Sequence, residues 1–276
     1  MWTWRRQRWV IFPVLLMVAT IGHQSPAHAS PPKQDVVATN MLGAVEPLAA
    51  DTAWDYQIGG IRRLAARVGV VVRDRRDPMA GVYDVCYVNA FQTQTAERMF
   101  WRHQSRRGLI LRSAGEPVVD GAWGELLLDT RTRSKRSRLA AIVDNWLAGC
   151  EQAGAEAVEL DNLDSWTRSK HLLTRADNIR YVSLLITAAH TRGLAVAQKN
   201  TPQIDDGKAI GFDFAIAEDC ARWRECQRYT AEYGSRVLAV EYDRRSFERG
   251  CSRWGELLPM ILRDVEVTPG GPRARC

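Results

Sequence analysis

The second half of the chain alternates helical and β-rich patterns in a fixed order, and this alternation restricts the fold more than any other feature of the sequence. Leu139, Ile142, Val143, Trp146 and Leu147 recur at helical spacing ahead of Gly154. A β-rich segment, Glu156 to Leu160, follows. Thr174 and Asp177 then form a capping box for a helix running through Tyr181, Leu184, Leu185 and Ala188, and Gly193 stands where a C-cap glycine would end it. The next β-rich segment is Leu194 to Ala197. Strand, helix and strand joined by short connections predict parallel pairing with right-handed crossovers. Further β-rich segments are Trp54 to Ile58, Val68 to Val72, Val82 to Val88, Leu109 to Leu111, Glu125 to Leu128, Phe212 to Ile216, Val237 to Tyr242 and Leu258 to Leu262. These are ten candidates for an eight-stranded parallel barrel, so one or two are ancillary. The expected fold is α/β, a (β/α)8 barrel of the TIM type in a single domain over residues 51–276, for which about 250 residues is the usual length.

Residues 1–29 read as a secretory signal peptide. Arg5, Arg6 and Arg8 precede an apolar run from Trp9 to Gly22, and Ala27-His28-Ala29 offers a small-x-small cleavage site. The run is short for a transmembrane span and no second long apolar stretch follows, so the expectation is a secreted, extracellular protein with no stable membrane association after cleavage. Residues 30–50, with Pro31-Pro32, read as an exposed leader. The net charge of +6 falls to +3 without the signal segment, which holds three arginines and no acidic residue. The clusters Arg73-Asp74-Arg75-Arg76 and Arg131 to Arg138 then read as solvated surface, and no nucleic-acid partner is expected. Six cysteines, Cys86, Cys150, Cys220, Cys226, Cys251 and Cys276, all fall after residue 29, which makes disulfides the default. Proximity in sequence favours Cys220 with Cys226 and Cys251 with Cys276, leaving Cys86 with Cys150. No C-x-x-C pair is present, so neither a zinc ribbon nor a thioredoxin-type site is supported.

In a parallel barrel the chemistry sits at the C-terminal ends of the strands. The run Glu159-Leu160-Asp161-Asn162-Leu163-Asp164 places three carboxylates and an amide at one such end. It reads either as a site or as an acidic turn capping the next helix. The other strand ends are polar as well: Gln57, then Asn89 and Gln92, Arg112, Lys199 and Asn200, Glu218 and Asp219, Glu241 and Asp243, and finally Arg263 and Asp264. Acids converging from several strands suit glycoside hydrolysis, which needs one protonated acid for the leaving oxygen and one ionised carboxylate as nucleophile or base. Trp54, Tyr56, Tyr87, Trp166 and Tyr242 lie near these ends and could stack on sugar rings, although packing is the commoner role of any one aromatic. No phosphate-binding glycine loop, G-x-S-x-G elbow or H-E-x-x-H pattern occurs. Glu159, Asp161 and Asp164 could supply oxygen ligands, but no loop has EF-hand spacing, and neither a metal nor a cofactor is expected.

Several segments in order along the chain resemble the secreted endo-α-1,4-polygalactosaminidase-type enzymes of glycoside hydrolase family 114, which are TIM barrels. They are Trp54-Asp-Tyr-Gln-Ile58, Tyr83-Asp84-Val85, Leu127 to Arg131, Ala157 to Asp164, Ala189-His190 with Gly193-Leu194, Lys199-Asn200, Phe212-Asp213, Glu218-Asp219-Cys220 with Glu225-Cys226, and Glu241-Tyr242. The resemblance implies that Asp161 and Glu218 are the catalytic carboxylates, with Asp161 as nucleophile or base and Glu218 as acid. It also implies that Gln57, Glu159, Asn162, Lys199, Asn200 and Tyr242 bind substrate, an amine-bearing galactosaminan. Two departures stand out. Leu160 replaces a frequent Pro, and Cys86 replaces the second Asp of a Tyr-Asp-Ile-Asp pattern, which would remove one site carboxylate. A disulfide between Cys220 and Cys226 would hold Glu218 in place. The competing readings are a noncatalytic carbohydrate-binding barrel and a polysaccharide deacetylase or metal-dependent hydrolase.

Overall fold

The computed structural model describes residues 45–50 and 52–276. The expected signal peptide and most of the expected leader lie outside these residues. Eight parallel strands form one curled sheet in chain order: β1 (Trp54–Tyr56), β2 (Val70–Asp74), β3 (Tyr83–Asn89), β4 (Ala157–Asp161), β5 (Ala195–Lys199), β6 (Phe214–Glu218), β7 (Val237–Glu241) and β8 (Met260–Leu262). The strand expectations therefore hold within two residues at most ends. The two ancillary segments are the ones in the middle of the chain. Leu126–Leu127 pairs antiparallel with Gln92–Thr93, and Leu109 to Leu111 is no strand: Arg107–Leu109 is a 3-10 turn, followed by a hairpin of Arg112–Ser113 and Glu116–Pro117. Arg112 is accordingly an exposed hairpin residue that donates to Gly115 O, away from the barrel mouth.

Alternation along each strand divides the sheet into two faces. Trp54, Tyr56, Val70, Val72, Val85, Tyr87, Ala157, Ala195, Ala197, Phe214, Ile216, Leu238 and Val240 pack together inside the barrel. Their neighbours Cys86, Val88, Val158, Leu160, Val196, Ala215, Ala217 and Ala239 pack outward against the helices. The interior alanines of β4 and β5 leave room for the rings of Trp54, Tyr56 and Phe214, the large-against-small arrangement that fills a narrow barrel.

On the outside, α1 (Arg133–Gln152) buries Leu139, Val143, Leu147 and Cys150, and α2 (Arg175–Thr191) buries Tyr181, Val182, Leu185, Ile186 and Ala189. The Thr174–Asp177 capping box is present. Two further helices, α3 (Cys226–Tyr233) and α4 (Arg244–Trp254), follow β6 and β7. The connections after β1 and β2, residues 57–69 and 75–82, are turns and irregular backbone, a departure from a regular (β/α)8 pattern. The outward residues here explain it. Asp55, Gln57 and Arg73 are polar and buried, and they bond to one another and to Arg62 rather than offering an apolar face to a helix.

Three disulfides pair Cys86 with Cys150, Cys220 with Cys226 and Cys251 with Cys276. The first ties β3 to α1, so Cys86 faces the helices. Its replacement of an Asp takes nothing from the barrel mouth, contrary to the sequence expectation. Among the described residues no ladder joins β1 to β8. Instead the C-terminal strand β9 (Ala274–Arg275) runs antiparallel beside β8, Trp54 Nε1 donates to Pro259 O at 2.6 Å, and Arg263 donates to Tyr56 O. Leu48, expected in an exposed leader, is buried with the interior cluster. Among the described residues no helix is long and apolar enough to cross a membrane.

Candidate active site

The inward positions at the ends of β4, β5 and β6 are Glu159 and Asp161, Lys199, and Glu218. Pairing sets their depths. Glu159 stands opposite Ala197, Lys199 opposite Ile216 and Glu218 opposite Val240, so Glu218 lies one inward position nearer the mouth than Lys199. Lys199 is 2% exposed. Its ammonium lies 2.5 Å from Glu159 Oε1, 3.3 Å from Asp161 Oδ1 and 3.5 Å from Glu218 Oε2, and it donates to Tyr56 OH at 2.9 Å. Burial works against the charge on Lys199, but the three carboxylates outweigh it and hold the ammonium well above its ordinary range.

The three acids differ in surroundings. Glu159 is fully buried beneath the cavity floor, where it also accepts from Tyr56 OH at 2.8 Å. Burial pushes its carboxyl up to about 7 against the pull of Lys199. For Asp161 burial acts in the same direction, yet the Lys199 charge, the Tyr87 hydroxyl at 2.7 Å and the backbone at Asn162 prevail and hold it below the usual carboxylate range. Glu218 is bracketed by Tyr242 OH, which donates to Oε1, and by Asn200, whose Nδ2 donates to Oε2 at 2.8 Å while its Oδ1 accepts from the Glu218 N–H at 2.8 Å.

Each of these strands ends in a non-glycine residue with left-handed backbone: Asn162 (φ 65°), Asn200 (φ 48°) and Asp219 (φ 52°). Asn and Asp tolerate this conformation better than most residues. In each case the side chain is used: Asn162 donates to Asn89 Oδ1, Asn200 brackets Glu218, and Asp219 accepts from the Tyr242 N–H at 3.1 Å. The turns thus connect neighbouring strand ends around the acids.

Above this floor is a cavity of about 410 Å³ lined by Tyr87, Asp161, Asn162, Lys199, Asn200, Glu218 and Tyr242. Six of the eight residues expected from the sequence (Asp161, Asn162, Lys199, Asn200, Glu218 and Tyr242) therefore meet in one place. Glu159 lies below it. Gln57 does not reach it: it shares the outward face with Asp55, is fully buried, and accepts from Arg73 Nε at 3.0 Å. Glu241 is likewise outward, accepting from the Ala221 and Arg222 N–H groups at 2.7 and 3.2 Å, with burial raising its carboxyl to about 7. Asp243 caps α4, Asp264 accepts from Thr268 N, and Arg263 serves the β1–β8 seam. These four strand-end charges are structural.

Four polar or aromatic residues of the cavity wall were missed in the sequence. Asp120, Trp123 and Glu125 come from the segment between β3 and α1, and Arg168 from the turn after β4. Arg168 Nε is 2.7 Å from Asp120 Oδ2, and its guanidinium also meets Asp164 and Asn162. Glu125 accepts from Asn89 Nδ2 at 2.8 Å, and burial raises its carboxyl to about 7. The one available signal was the low hydropathy of Asp120 to Glu125, which reads equally as an ordinary surface turn. Among the described residues, Cys220, Cys226 and Glu241 are the grouping compact enough to hold a metal, and the two sulfurs are bonded to each other.

The sequence matches the model of glycoside-hydrolase family GH114 over residues 36–276. No curated protein matches it significantly. Among solved structures, Aspergillus fumigatus Ega3 in complex with galactosamine aligns at 20% identity and TM-score 0.68, over 84% of this chain and 98% of that one. The glycoside hydrolase domain of Pseudomonas aeruginosa PelA aligns at 14% identity and TM-score 0.58, over 81% and 98%. At these identities the likeness is one of fold, and it agrees with the TIM-barrel architecture. The match over all of the described residues decides the family: this protein is a glycosidase belonging to glycoside hydrolase family GH114.

Proposed function

We propose that Asp161 and Glu218 are the catalytic carboxylates of a glycosidase acting on galactosamine-containing polysaccharide. The observation that carries this reading is their convergence, from β4 and β6, on the single buried ammonium of Lys199 at the cavity floor. Lys199 keeps Asp161 ionised, as a nucleophile must be, while Glu218 is the acid that protonates the leaving oxygen and afterwards activates water. Their near oxygens touch the same cation at 3.3 and 3.5 Å, and the stereochemical outcome follows from the separation of the two carboxyl groups, about 5 to 5.5 Å for retention against about 6.5 to 9.5 Å for inversion. Asn162, Asn200 and Tyr242 contact substrate beside them, and Glu159 positions Lys199 from below.

The substrate class rests on the relative solved with galactosamine and on charge. Asp120, Glu125, Asp161, Asp164, Glu218 and Glu266 line the cavity against Arg168 and Lys199, an excess that attracts polymer ammonium groups. Three disulfides support an exported protein working in an oxidising compartment, with residues 1–29 as its signal and 51–276 as its catalytic domain. The test is incubation with partly deacetylated galactosaminogalactan and sizing of the products. Shortened chains that disappear with Asp161→Asn and Glu218→Gln are expected. Binding without cleavage would point to a carbohydrate-binding barrel, and release of acetate alone to a deacetylase. Proton NMR of the first product decides between retention and inversion.

A further inference from the structure

Trp223 is 61% exposed, an unusual position for so large an apolar ring, and its backbone is unusually well fixed. It ends a short helix, Cys220–Trp223, inside the loop closed by the Cys220–Cys226 disulfide. Left-handed residues bound that helix on both sides, Asp219 and Arg224. Glu241 holds its first turn by accepting from Ala221 and Arg222. Arg222 is paired with Asp219 at 3.2 Å and places its guanidinium 5.0 Å from the Trp223 ring centre. The ring borders a second cavity, of about 290 Å³, whose other walls are Thr201, Pro202, Gln203, Glu225 and Tyr229. That cavity shares Asp164, Asn200 and Glu218 with the first. Glu218 thus stands between two recesses, with an exposed tryptophan beside each: Trp123, 51% exposed, on the first and Trp223 on the second.

We infer that the second recess is a further sugar-binding arm of the cleft, with Trp223 as the platform on which a sugar ring of the polymer stacks. The C–H face of a pyranose is apolar and matches an indole face, while Gln203 and Glu225 are placed to meet its hydroxyl or ammonium groups. An enzyme that cuts within a chain must hold sugar units on both sides of the bond, and Glu218, the proposed acid, lies where the two recesses join. Fixing the segment that carries the indole by disulfide and backbone bonds reduces the ordering cost of binding. The inference rests on the glycosidase reading for the identity of the ligand, so its test is read by binding, without turnover.

Binding of α-1,4-linked galactosamine oligomers of increasing length to the Glu218→Gln protein is measured by calorimetry, with and without Trp223→Ala. Affinity should rise with length in the parent, and Trp223→Ala should remove about tenfold of that rise, leaving the shortest oligomers unaffected and the melting temperature unchanged. Trp223→Tyr should restore most of it. Equal length dependence with and without the ring would overturn the inference, as would an equal loss for the shortest oligomers. A protein that bound long chains through Trp223 yet cleaved none when Glu218 was intact would refute the glycosidase reading and leave this arm standing. No binding at any length would refute both.

Discussion

Replacing Lys199 with methionine removes the ammonium shared by three carboxylates while keeping most of the side-chain volume. At an effective dielectric of about 20, a charge 3.3 Å from Asp161 contributes about 5 kcal/mol before solvation is counted. Water readmitted to the floor offsets much of this, which brings the effect into the range of about 1–3 pH units usual for one opposing charge. Asp161 is held below the ordinary carboxylate range in the intact protein, so its ionised form is lost as pH falls through that depressed value. In Lys199→Met the acid limb of kcat/KM should therefore move up by about 1–3 units. Stability responds in a separate window. Removing one partner of a buried pair costs about 3–5 kcal/mol, but Glu159 can bind a proton instead. Its folded value is already raised to about 7, so ionising it in the folded state opposes folding increasingly as pH rises from the ordinary glutamate value, and the variant raises it further. Urea unfolding should thus show the full loss at pH 8 and well under half of it at pH 5. An equal loss at both, together with an unmoved acid limb, would refute the role given to Lys199.

The Cys220→Ser, Cys226→Ser double variant should lose about 2–3 kcal/mol in the chain-entropy model, a modest fall in melting temperature, yet turnover should drop about tenfold or more if the loop orients Glu218; unchanged turnover would count against that. Gly207→Ala places a Cβ 1.9 Å from Tyr233 Oη and 2.3 Å from Gln198 Oε1, disturbing the bond between them. A destabilisation of about 1–3 kcal/mol is expected by denaturant titration, and a neutral result would mean that the loop after β5 relaxes freely. Glu125→Gln removes a carboxyl raised to about 7 by burial. A raised carboxyl opposes folding above its ordinary value, so the variant should gain stability relative to the parent at pH 8 and not at pH 5, and thermal melts at the two values decide it.

The barrel was legible because its strands are bounded by clear helical patterns in the second half, where α1 and α2 announce themselves by spacing and cap. The first half was less so, since the outward faces of β1 and β2 are polar and their connections fold around a buried network rather than a helix. At the site, the strand-end criterion found Asp161, Lys199 and Glu218 but also admitted Gln57 and Glu241. A stricter use of alternation separates them. Tyr56, Glu159, Lys199 and Glu218 share the parity of interior Trp54, Ala157, Ala197 and Ile216, whereas Gln57 goes with Asp55 and Glu241 with Ala239. Asp120, Glu125 and Arg168 obey no such rule, because they reach the cavity from loops whose path is set by contacts distant in sequence.

The unladdered seam between β1 and β8 has a consequence for how the barrel opens. Backbone hydrogen bonds make every other strand boundary cooperative, but here closure depends on the bonds from Trp54 and Arg263, while the short β9 covers only the free edge of β8. Amide exchange should accordingly begin along this line, with the Cys251–Cys276 bond limiting how far the last residues can peel away. Of the two strands at the seam, β1 carries Tyr56, whose hydroxyl touches Glu159 and Lys199. Opening of this least secured edge would therefore draw the Tyr56 hydroxyl away from Glu159 and Lys199, the pair that forms the charged floor beneath Asp161.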